Sequence, residues 1–293
     1  MRSHPPTLLK MARRTILDEH LFGPGDRVLV AVSGGPDSMA LLHVLAKVGP
    51  ELGARVAAHG IDHGLRSAAR AELALAERLA VELGVPFSST RVEVHPGPNL
   101  MARARAARYE ALQRAARAGC GARAPMVYIA TGHHAEDRAE TVLIRLLRGT
   151  GPAGLAVLPA RAGNLIRPLV RARRADVMAH LERHHIAFAD DPTNRDPRFL
   201  RTRVRREVLP LLTELSPRIV EHLCELADAS AAQTTSGTEP IPLLLEGHPL
   251  GRAQRSALAR ALAQRNARVR VPLAGGKIAG IDLSSRTIVL IKG

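Results

Sequence analysis

The sequence predicts an α/β protein: an open parallel sheet with helices on both faces, followed by a helical, arginine-rich region and a small C-terminal α+β domain. Up to about residue 170, short runs rich in β-branched residues alternate with longer helical patterns, as expected for β-α units around a parallel sheet. From there the helical patterns continue without strands between them, and beyond residue 240 short strand-like runs return. These three observations define the expected architecture.

The first part of the chain contains five expected strands and four expected helices. The strands are expected at 27–32, 55–61, 88–94, 126–131 and, as the fifth, 165–169. The helices are expected at 38–47, 70–83, 99–118 and 135–147. In the last of these helices Ala139, Val142, Leu143, Leu146 and Leu147 recur at helical spacing, so they are expected to form one core-facing stripe.

The second half is expected to be helical first and mixed afterwards. Helices are expected at 173–183, 198–212 and 218–232, and the breaker-rich segment 233–242 is expected to be a linker. A helix at about 251–265 and strands at 268–273, 277–283 and 287–291 then complete a small domain. The expected organisation is a core domain over 1–214, extended by helices from about residue 170, a helix and linker over 215–240, and a small domain over 241–293.

The charge of the chain favours a polyanionic partner such as RNA or DNA. There are 42 Lys and Arg against 27 Asp and Glu, a net charge of +15. Residues 161–210 alone hold twelve Arg and six Asp or Glu, and Arg198, Arg201 and Arg205 are spaced to meet successive phosphates. A GC-rich genome that favours arginine, or a solvated helical face, explains the same counts. Only 2% of the residues are aromatic, which excludes base stacking as the main way of holding a nucleic acid.

Cysteine content and hydropathy bear on the compartment. Cys120 and Cys224 are too few for a disulfide framework and too far apart for a CxxC motif, so a cytoplasmic protein is expected. No run of eighteen apolar residues and no apolar run of signal-peptide length occurs, so no membrane association is expected. The sequence leaves the oligomeric state open, with a homodimer as one option.

The stretch SGGPDS at 33–38 joins the first expected strand to the first expected helix. A glycine-rich turn of this kind directs backbone N–H groups and the positive end of the helix dipole at one point, which favours phosphate. The stretch lacks the Gly-Lys-[Ser/Thr] ending of the common P-loop and the G-x-G-x-x-G dinucleotide fingerprint. An aspartate beside phosphate is unfavourable unless a cation lies between them, so Asp37 indicates a bound Mg²⁺, with an ordinary N-cap as the alternative.

A second polar group follows the fourth expected strand. His133, Asp137 and Glu140 recur at i, i+4 and i+7, on a helix face different from the apolar stripe. They fall at the carboxyl end of a strand, where open parallel sheets bind ligands. A carboxylate pair there is able to hold a cationic amino acid and to accept its proton. The alternatives are a metal site, for which the His-Glu-x-x-His spacing is missing, and a solvated charged face.

The pattern S-G-G-x-D-S after the first strand resembles the phosphate loop of the PP-loop ATP pyrophosphatases, which have an adenine-nucleotide-hydrolase-like fold and cleave ATP between its α and β phosphates. Four further segments together resemble the tRNA(Ile)-lysidine synthetase family within that group. They are HGIDHGLR at 59–66, NLMARARAARYEAL at 99–112, TGHHAEDRAETVLIRLLRGTG at 131–151 and DDPTNRDPRFLRTRVRREVLPLL at 190–212. The likeness spans most of residues 15–215.

The resemblance implies an ATP-dependent ligase that adenylates the wobble cytidine of an isoleucine tRNA with a CAU anticodon and joins lysine to it, releasing pyrophosphate and AMP. It implies ATP and Mg²⁺ as cofactors, with Asp37 as the metal ligand, and this tRNA and lysine as partners. The implied residues are, for ATP, Ser33, Gly34, Gly35, Pro36, Asp37, Ser38, Asp62 and His63; for catalysis, Asp37, His133, Asp137 and Glu140; for lysine or a phosphate, Arg105; and for tRNA, Arg66, Arg198, Arg201 and Arg205.

Two positions depart from the family pattern. Met101 stands where the family usually has Glu, and His59 lies three residues before Asp62 rather than two. Three other functions stay open. The first is another PP-loop tRNA-modifying enzyme such as a tRNA thiolase, although the paired cysteines of persulfide or iron–sulfur chemistry are missing. The others are a PP-loop ligase acting on small molecules and a nucleotide-binding RNA module without turnover.

Overall fold

The computed structural model describes residues 6–62, 68–92, 97, 100–118, 126–189 and 198–235, and from the C-terminal part 244–245, 248–250, 254, 257–258, 261, 266, 269–273, 277–282 and 287–291. The chain forms two compact units, Met1–Asp228 and Ala229–Gly293. The division lies within the helix that the sequence predicts at 218–232, beyond residue 214, where the core domain is expected to end.

A six-stranded sheet forms the centre of the first unit. Its strands are β1 (Arg27–Val32), β2 (Arg55–Asp62), β3 (Phe87–Arg91), β4 (Val127–Ala130), β5 (Arg161–Ala162) and β6 (Leu165–Ile166). Their order is β3-β2-β1-β4-β6-β5, and every neighbouring pair is parallel except β5 with β6. The mostly parallel sheet confirms the predicted fold class. The predicted fifth strand is reduced to β6, because a tight turn at Gly163, whose φ is 61°, pairs it antiparallel with β5.

Helices pack on the sheet and on one another. They are α1 (Leu8–Asp18), α2 (Pro36–Glu51), α3 (Ala68–Glu82), α4 (Leu100–Arg117), α5 (Ala135–Leu147), α6 (Arg174–Arg183), α7 (Leu200–Arg203), α8 (Leu209–Leu215) and α9 (Ile219–Thr235). Side chains of the central strand β1 alternate between two cores: Val28 and Val30 pack in the cluster that contains α2, whereas Leu29 packs with Leu112 of α4. The alternation places helices on both faces of the sheet, as predicted.

Helix α1 was not predicted from the sequence. Thr7 caps its N-terminus by accepting a hydrogen bond from the backbone N–H of Lys10, and Leu8, Ala12 and Ile16 recur every four residues and are buried. This apolar stripe is short and lies among Lys and Arg residues, so the basic composition conceals it. The helix packs on α2 and adds one element to the core of the first unit.

The apolar stripe predicted along α5 is correct for its first two turns only. Ala139 and Val142 are fully buried and Leu143 is partly buried, but Leu146 is 44% and Leu147 62% exposed. The residues packed against this face come from α8, α9 and the segment around Leu155, and they surround the first half of the helix. Apolar periodicity alone does not reveal where the covering elements end.

The helix predicted at 198–212 is divided into three pieces. A π-helical turn, Val204–Val208, separates α7 from α8. Pro210 lies just beyond this turn, and it has no N–H to donate to the carbonyl of residue 206 in a regular α-helix. The wider turn accommodates that loss, and such turns frequently occur at functional sites.

The second unit has its own small sheet. Strands β9 (Val271–Pro272), β10 (Ile278–Asp282) and β11 (Thr287–Ile291) pair antiparallel in the order β11-β10-β9, and β7 (Leu244–Leu245) pairs with β8 (His248–Pro249). Buried Leu258, Val271 and Ile281 belong to a separate apolar core. The three strands predicted beyond residue 266 are therefore present: the last has the predicted ends, 287–291, and the other two are shorter than predicted. In the part of the chain described by the structure, no helix combines the length and hydropathy that a membrane crossing requires.

Candidate functional site

The candidate site lies at the carboxyl edge of the sheet, where β1 and β4 end side by side. The chain runs outward from β1 through β2 to β3 and then crosses to β4 on the other side of β1, so this edge is a topological switch point. Parallel sheets bind ligands in the crevice that such a reversal opens. Both polar groups identified in the sequence begin here: the 33–38 loop directly after β1, and His133 three residues after β4.

The loop at 33–38 forms a compact turn into α2. The backbone N–H of Ser33 donates to Ser38 Oγ (3.1 Å), the two serine hydroxyls lie 3.3 Å apart, and Ser38 Oγ donates to the carbonyl of Gly35 (2.9 Å). Gly35 is the N-cap of α2 and Pro36 occupies its first turn, where a missing N–H is harmless. The first turn of α2 thus presents its unpaired N–H groups at the edge of the sheet, which is the geometry of an anion site.

Two glycines bring backbone segments unusually close to one another at this loop. Gly34 has φ of +78°, and a Cβ built there would lie 2.3 Å from the carbonyl oxygen of Glu72 in α3. A Cβ at Gly132, after β4, would lie 2.7 Å from the carbonyl oxygen of Asp37. Any side chain at either position would push the loop away from α3 or from β4. Glycine is therefore required to hold the turn against the sheet.

Asp37, His134 and Asp137 form a compact group at the end of this loop. His134 Nε2 lies 3.7 Å from Asp37 Oδ1 and 3.5 Å from Asp137 Oδ2. Neither Asp37 Oδ1 nor His134 Nε2 has a hydrogen-bond partner among the described residues, although both atoms are buried. Burial raises the pKa of Asp37, and nearby Asp137 adds to this effect. A carboxylate oxygen that is buried without a hydrogen bond is unfavourable when the carboxylate is ionised, so a cation bound beside Asp37 would stabilise the group.

The donor set of this group fits Mg²⁺. Ligand atoms from Asp37, His134 and Asp137 all lie within 4.8 Å of one another. Mg²⁺ prefers hard oxygen ligands and commonly uses one or two carboxylates together with substrate phosphates. Two aspartates beside an N-terminal helix turn meet that preference, with the imidazole as a neighbour. The metal ligand predicted from the sequence, Asp37, therefore has a second carboxylate, Asp137, next to it.

His134 was not predicted as a site residue, yet it is completely buried at the centre of the site. Its Nδ1 lies 3.0 Å from Glu136 Oε2, and Glu136 also accepts hydrogen bonds from Arg173 Nε (2.7 Å) and the backbone N–H of Arg174 (2.9 Å). Despite its burial, these donors lower the pKa of Glu136 to about 2. The Arg173–Glu136–His134 chain orients the imidazole. In the sequence, the only signal was the doubled His at 133–134.

Two arginines pair with the predicted carboxylates. Arg201 Nη2 lies 2.8 Å from Asp137 Oδ1, and Arg201 Nε lies 2.9 Å from Glu140 Oε2. Arg205 donates to the same two side chains, at 3.1 Å to Asp137 and 3.0 Å to Glu140 Oε2. Glu140 is 1% exposed and Asp137 7%. Burial would raise the pKa of Asp137, but His134 and Arg201 outweigh it and the pKa is lowered.

The arrangement of these arginines differs from that expected of a surface helix. The sequence placed Arg201 and Arg205 on a face open to successive phosphates, whereas the structure directs both guanidinium groups at α5. Arg198, at the start of the same segment, is exposed. A role of the three arginines in tRNA binding stays a prediction.

His133 belongs to the same edge but carries no charge at neutral pH. Burial lowers its pKa to about 4 against the opposing effect of Asp137, and the nearby charges of Arg167 and Arg105 lower it further. Its Nδ1 lies 2.9 Å from the Thr131 hydroxyl. His133 therefore serves as a neutral hydrogen-bonding group, not as the positive charge that a protonated imidazole would supply.

Arg105 and Arg167 supply positive potential next to His133. Arg105 donates to the Tyr109 hydroxyl (3.2 Å) and its guanidinium carbon lies 5.1 Å from the Tyr109 ring centre. Arg167 is 5% exposed, and its Nε has no hydrogen-bond partner among the described residues. A buried guanidinium with an unpaired donor is suited to a carboxylate or phosphate. Arg167 was missed in the sequence because it lies after the short strand β6, outside every quoted motif.

The remaining predicted residues are distributed around this centre. Asp62 is the last residue of β2, at the same carboxyl edge. His63 and Arg66 lie outside the described residues, and the side chain of Met101 is likewise not described. His59 is a structural residue: it is buried between β2 and β3, with Nδ1 2.8 Å from Ser88 Oγ and Nε2 3.1 Å from Thr90 Oγ1. Its shifted position relative to Asp62 therefore does not affect the ligand crevice.

Comparison with known proteins identifies related sequences and a related fold. The family described as PP-loop domain matches residues 10–212. A tRNA(Ile)-lysidine synthase of Salinispora tropica is 41% identical over 261 residues, covering 84% of this chain and 75% of that protein. One of Symbiobacterium thermophilum is 42% identical over 233 residues, covering 75% of this chain.

The chain spans about half the length of the Symbiobacterium relative (47%). Among solved structures, the U34-tRNA thiolase NcsA of Methanococcus maripaludis with its [4Fe-4S] cluster is similar, with a TM-score of 0.59 and 18% identity, covering 75% of this chain and 78% of the thiolase chain. That likeness concerns the fold.

Proposed function

Because this chain belongs to the tRNA(Ile)-lysidine synthase family of PP-loop proteins, we propose that it is an ATP-dependent ligase that joins lysine to the wobble cytidine of an isoleucine tRNA with a CAU anticodon. The observation that carries the proposal is the Asp37 carboxylate, one oxygen of which is buried without a hydrogen-bond partner among the described residues. It lies at the end of a turn suited to phosphate and beside Asp137, which shares two arginine partners with Glu140. One site thus combines a nucleotide-phosphate turn with a carboxylate pair suited to a cationic amino acid. Such a ligase acts in the cytoplasm, where ATP and tRNA are present.

The turn at 33–38 would hold the pyrophosphate part of ATP. The N–H groups of the first turn of α2 and the hydroxyls of Ser33 and Ser38 supply the donors. Asp37 and Asp137 would hold Mg²⁺, which neutralises the phosphate charge and polarises the α-phosphate when bound. The cytidine O2 attacks the α-phosphorus, a new P–O bond forms, and the bond to the pyrophosphate oxygen breaks. In this proposal His133, whose pKa is lowered to about 4, and the nearby guanidinium groups of Arg105 and Arg167 would donate hydrogen bonds to the phosphate oxygens.

Lysine would then complete the reaction at the activated carbon. Its ε-amine attacks C2 of the cytidine, a C–N bond forms, and AMP leaves with the oxygen. A carboxylate of the Asp137 and Glu140 pair takes the proton released from the amine. Their burial favours this role, because water is excluded and the charge on each carboxylate attracts an ammonium group strongly.

Arg201 and Arg205 already neutralise both carboxylates, so lysine binding requires a rearrangement. Their side chains are 43% and 33% exposed, so each has room to turn outward. The phosphates of ATP or tRNA would attract these guanidinium groups away from the carboxylates, because an anion with several charges competes well with a single carboxylate. In this proposal the arrival of polyphosphate opens the lysine site, and the arginines exchange carboxylate for phosphate.

A thiolase function receives no comparable support. Thiolation by persulfide or iron–sulfur chemistry needs paired cysteines, and the sequence has two cysteines, more than 100 positions apart. Cys224 lies on α9, where its Sγ is 3.5 Å from the carbonyl oxygen of Ala135 and burial raises its pKa to about 11. A thiol with a raised pKa is a poor nucleophile at neutral pH.

The test is incubation of the chain with ATP, Mg²⁺, lysine and an isoleucine tRNA transcript bearing a CAU anticodon, followed by digestion and nucleoside mass analysis. The expected product is a cytidine heavier by one lysine less one water, accompanied by pyrophosphate and AMP. Omission of lysine should leave cytidine unchanged, and an Asp37→Asn variant should give no product. A sulfur-containing cytidine, or pyrophosphate release that does not depend on tRNA, would contradict the proposal.

A further inference from the structure

Three histidines form a cluster between α2 and α6, apart from the nucleotide site. His43 lies in α2, His180 in α6, and His184 is the C-cap residue of α6. The ring centres of His43 and His180 are 4.9 Å apart, and each is 4.5 Å from the ring centre of His184. One ligand nitrogen from each residue can be chosen so that all three lie within 4.8 Å of one another. The three imidazoles therefore converge on one point.

The sequence spacing supports convergence. His180 and His184 are four residues apart on one helix, which places their side chains on the same face. This i, i+4 arrangement is one of the ways in which a helix presents two imidazoles to one metal ion. His43 completes the group from the facing helix. In a tetrahedral zinc site with Zn–N bonds of 2.0–2.1 Å, ligand nitrogens are about 3.4 Å apart, so only modest ring rotations are needed here.

Hydrogen bonding within the cluster is incomplete. His180 Nε2 and His43 Nδ1 lie 3.0 Å apart, so one nitrogen donates and the other accepts. His180 Nδ1 is buried and has no hydrogen-bond partner among the described residues. His180 itself is 2% exposed. In one tautomer His180 Nδ1 carries a proton that it cannot donate, and in the other it has a lone pair that accepts no hydrogen bond. Either state is unfavourable for a buried nitrogen.

Two members of the cluster, His43 and His180, lie in surroundings that disfavour the protonated imidazole. Burial lowers the pKa of both His43 and His180 to about 4, and the neighbouring histidines, Lys47 and Arg183 contribute in the same direction. A metal ion binds the unprotonated nitrogen, so protons do not compete for these two ligands at pH 7. The exposed side of His184 gives an ion access to the cluster from solvent.

We propose that His43, His180 and His184 bind one divalent transition-metal ion of the Zn²⁺ type through three imidazole nitrogens, with the fourth position open to solvent. Imidazole ligands suit Zn²⁺, Co²⁺ and Ni²⁺, whereas Mg²⁺ prefers oxygen, so this site differs in metal preference from the carboxylate group at Asp37. The site is also spatially distinct: His43 lies five residues beyond Ser38 in α2, about 7.5 Å along the helix axis.

The ion would act as a clamp between two helices. Helix α2 starts at the phosphate turn and packs against α6, while the N-terminus of α6 contacts Glu136 through Arg173 and Arg174. A ligand set contributed by both helices is complete only in the folded unit. Binding therefore stabilises the folded state and raises the unfolding temperature with metal concentration.

The first experiment uses Co²⁺ as a spectroscopic probe. The full chain, without a histidine tag and freed of metal with a chelator, is titrated with Co²⁺ in excess Mg²⁺, which occupies oxygen-rich sites. Wild type should develop the visible absorption of four-coordinate Co²⁺ at one equivalent, and Zn²⁺ should displace it. His184→Gln removes one ligand at an exposed position and should weaken binding by about 100-fold or more. His185→Asn is the matched control. His185, the neighbour of His184, is exposed and has φ of 51°, a conformation that Asn tolerates, so this variant should bind Co²⁺ as wild type does.

The second experiment measures thermal unfolding with and without Zn²⁺. At about a hundredfold excess of free Zn²⁺ over Kd, the wild type and His185→Asn proteins should melt about 5–10 °C higher, and His184→Gln should not respond. In chelator all three should melt together, which establishes that the variant folds normally. The proposal is overturned if wild type develops no absorption band, or if His184→Gln binds Co²⁺ and responds to Zn²⁺ as wild type does.

Discussion

At the scale of single residues, the nucleotide site is a set of buried ionisable groups whose charges are unevenly compensated. Asp137 and Glu140 each have two arginine partners, whereas Asp37 has a buried oxygen with no hydrogen-bond partner among the described residues. The paired carboxylates are stable without a ligand, whereas the buried oxygen of Asp37 lies 3.7 Å from His134 Nε2 and would be stabilised further by a bound cation. This imbalance supports the proposed role of Asp37 in metal binding.

The first prediction separates activity from stability at Asp37. Asp37→Asn removes the metal-binding charge, so pyrophosphate release should fall by about 100-fold or more. The same change should leave the unfolding temperature equal or higher, since burial and Asp137 disfavour the ionised carboxylate. Glu51→Gln, at the exposed far end of α2, is the control and should alter neither quantity. A loss of activity caused by unfolding would appear as a lower melting temperature and would argue against this assignment.

The second prediction concerns His59 and pH. Burial lowers the pKa of His59 below its usual 6.5, so in acid the unfolded chain takes up this proton before the folded protein does. The contribution of His59 to stability is therefore complete above pH 6.5 and decreases as the pH falls below that value. His59→Gln should lose less unfolding free energy than wild type between neutral pH and pH 5, measured by urea denaturation. Substitution of exposed His222 serves as the control; equal pH profiles for wild type and His59→Gln would contradict the prediction.

At the scale of elements, the site depends on how closely three backbone segments approach one another. The 33–38 turn is confined between α3, through Gly34, and the residues after β4, through Gly132. Both contacts are close approaches between backbone atoms, because glycine has no side chain. The positions of α3 and β4 thus determine where the phosphate-binding N–H groups point.

The third prediction tests this confinement with two adjacent glycines. Gly34→Ala should destabilise the fold by about 2 kcal/mol or more, because its positive φ disfavours a side chain and the new Cβ would overlap the Glu72 carbonyl. Gly35→Ala should cost no more than about 1 kcal/mol, since the nearest atom to its Cβ is Ser33 Oγ at 3.6 Å. Urea denaturation of both variants measures the difference. Equal losses would mean that the close approach to α3 is unimportant.

Local sequence patterns predicted the elements better than they predicted contacts between distant segments. The four β-α units follow from local periodicity, and the family motifs identified Asp37, Asp137 and Glu140 without any coordinates. Arg167, Arg173 and His134 were missed because their roles arise from contacts between segments distant in sequence, such as Arg173 with Glu136. The prediction that the end of the α5 stripe faces the core was wrong for the same reason. Periodicity marks an apolar face but does not show how much of that face other elements bury.

At the scale of the whole molecule, the positive charge and the site belong to one functional surface in the proposal. The arginine-rich segment from residue 161 contributes Arg173 to the His134 network and Arg201 and Arg205 to the carboxylates. Part of the net charge therefore stabilises the site in the absence of ligands and is not available to RNA until the arginines are released. Composition alone could not distinguish these two uses of arginine.

The fourth prediction measures that exchange through salt dependence. The affinity for the tRNA should fall steeply with salt, and each phosphate contact should contribute about 0.7–0.9 to the slope of log K against log salt. If Arg201 and Arg205 move to phosphates, replacing both with Gln should lower the slope by about 1.5. Arg161→Gln, which removes a guanidinium bonded to the carbonyl of His20, is the control and should change it little. A slope near zero for wild type would exclude the arginine-rich segment as the RNA-binding surface.

The π-helical turn at Val204–Val208 also restricts how this gene can change. A π-helical turn holds one residue more than an α-helical turn, and each α-helical residue advances the chain by about 100°, so a replacement that drew this turn into a regular helix of the same length would rotate α8 relative to α7 by about that angle. Leu209, which is buried against α5 and α9, would then face away from that core while Arg201 kept its place. A deletion of the one extra residue would keep both ends in phase, whereas a replacement that regularised the turn would separate the arginines from the packing that positions them.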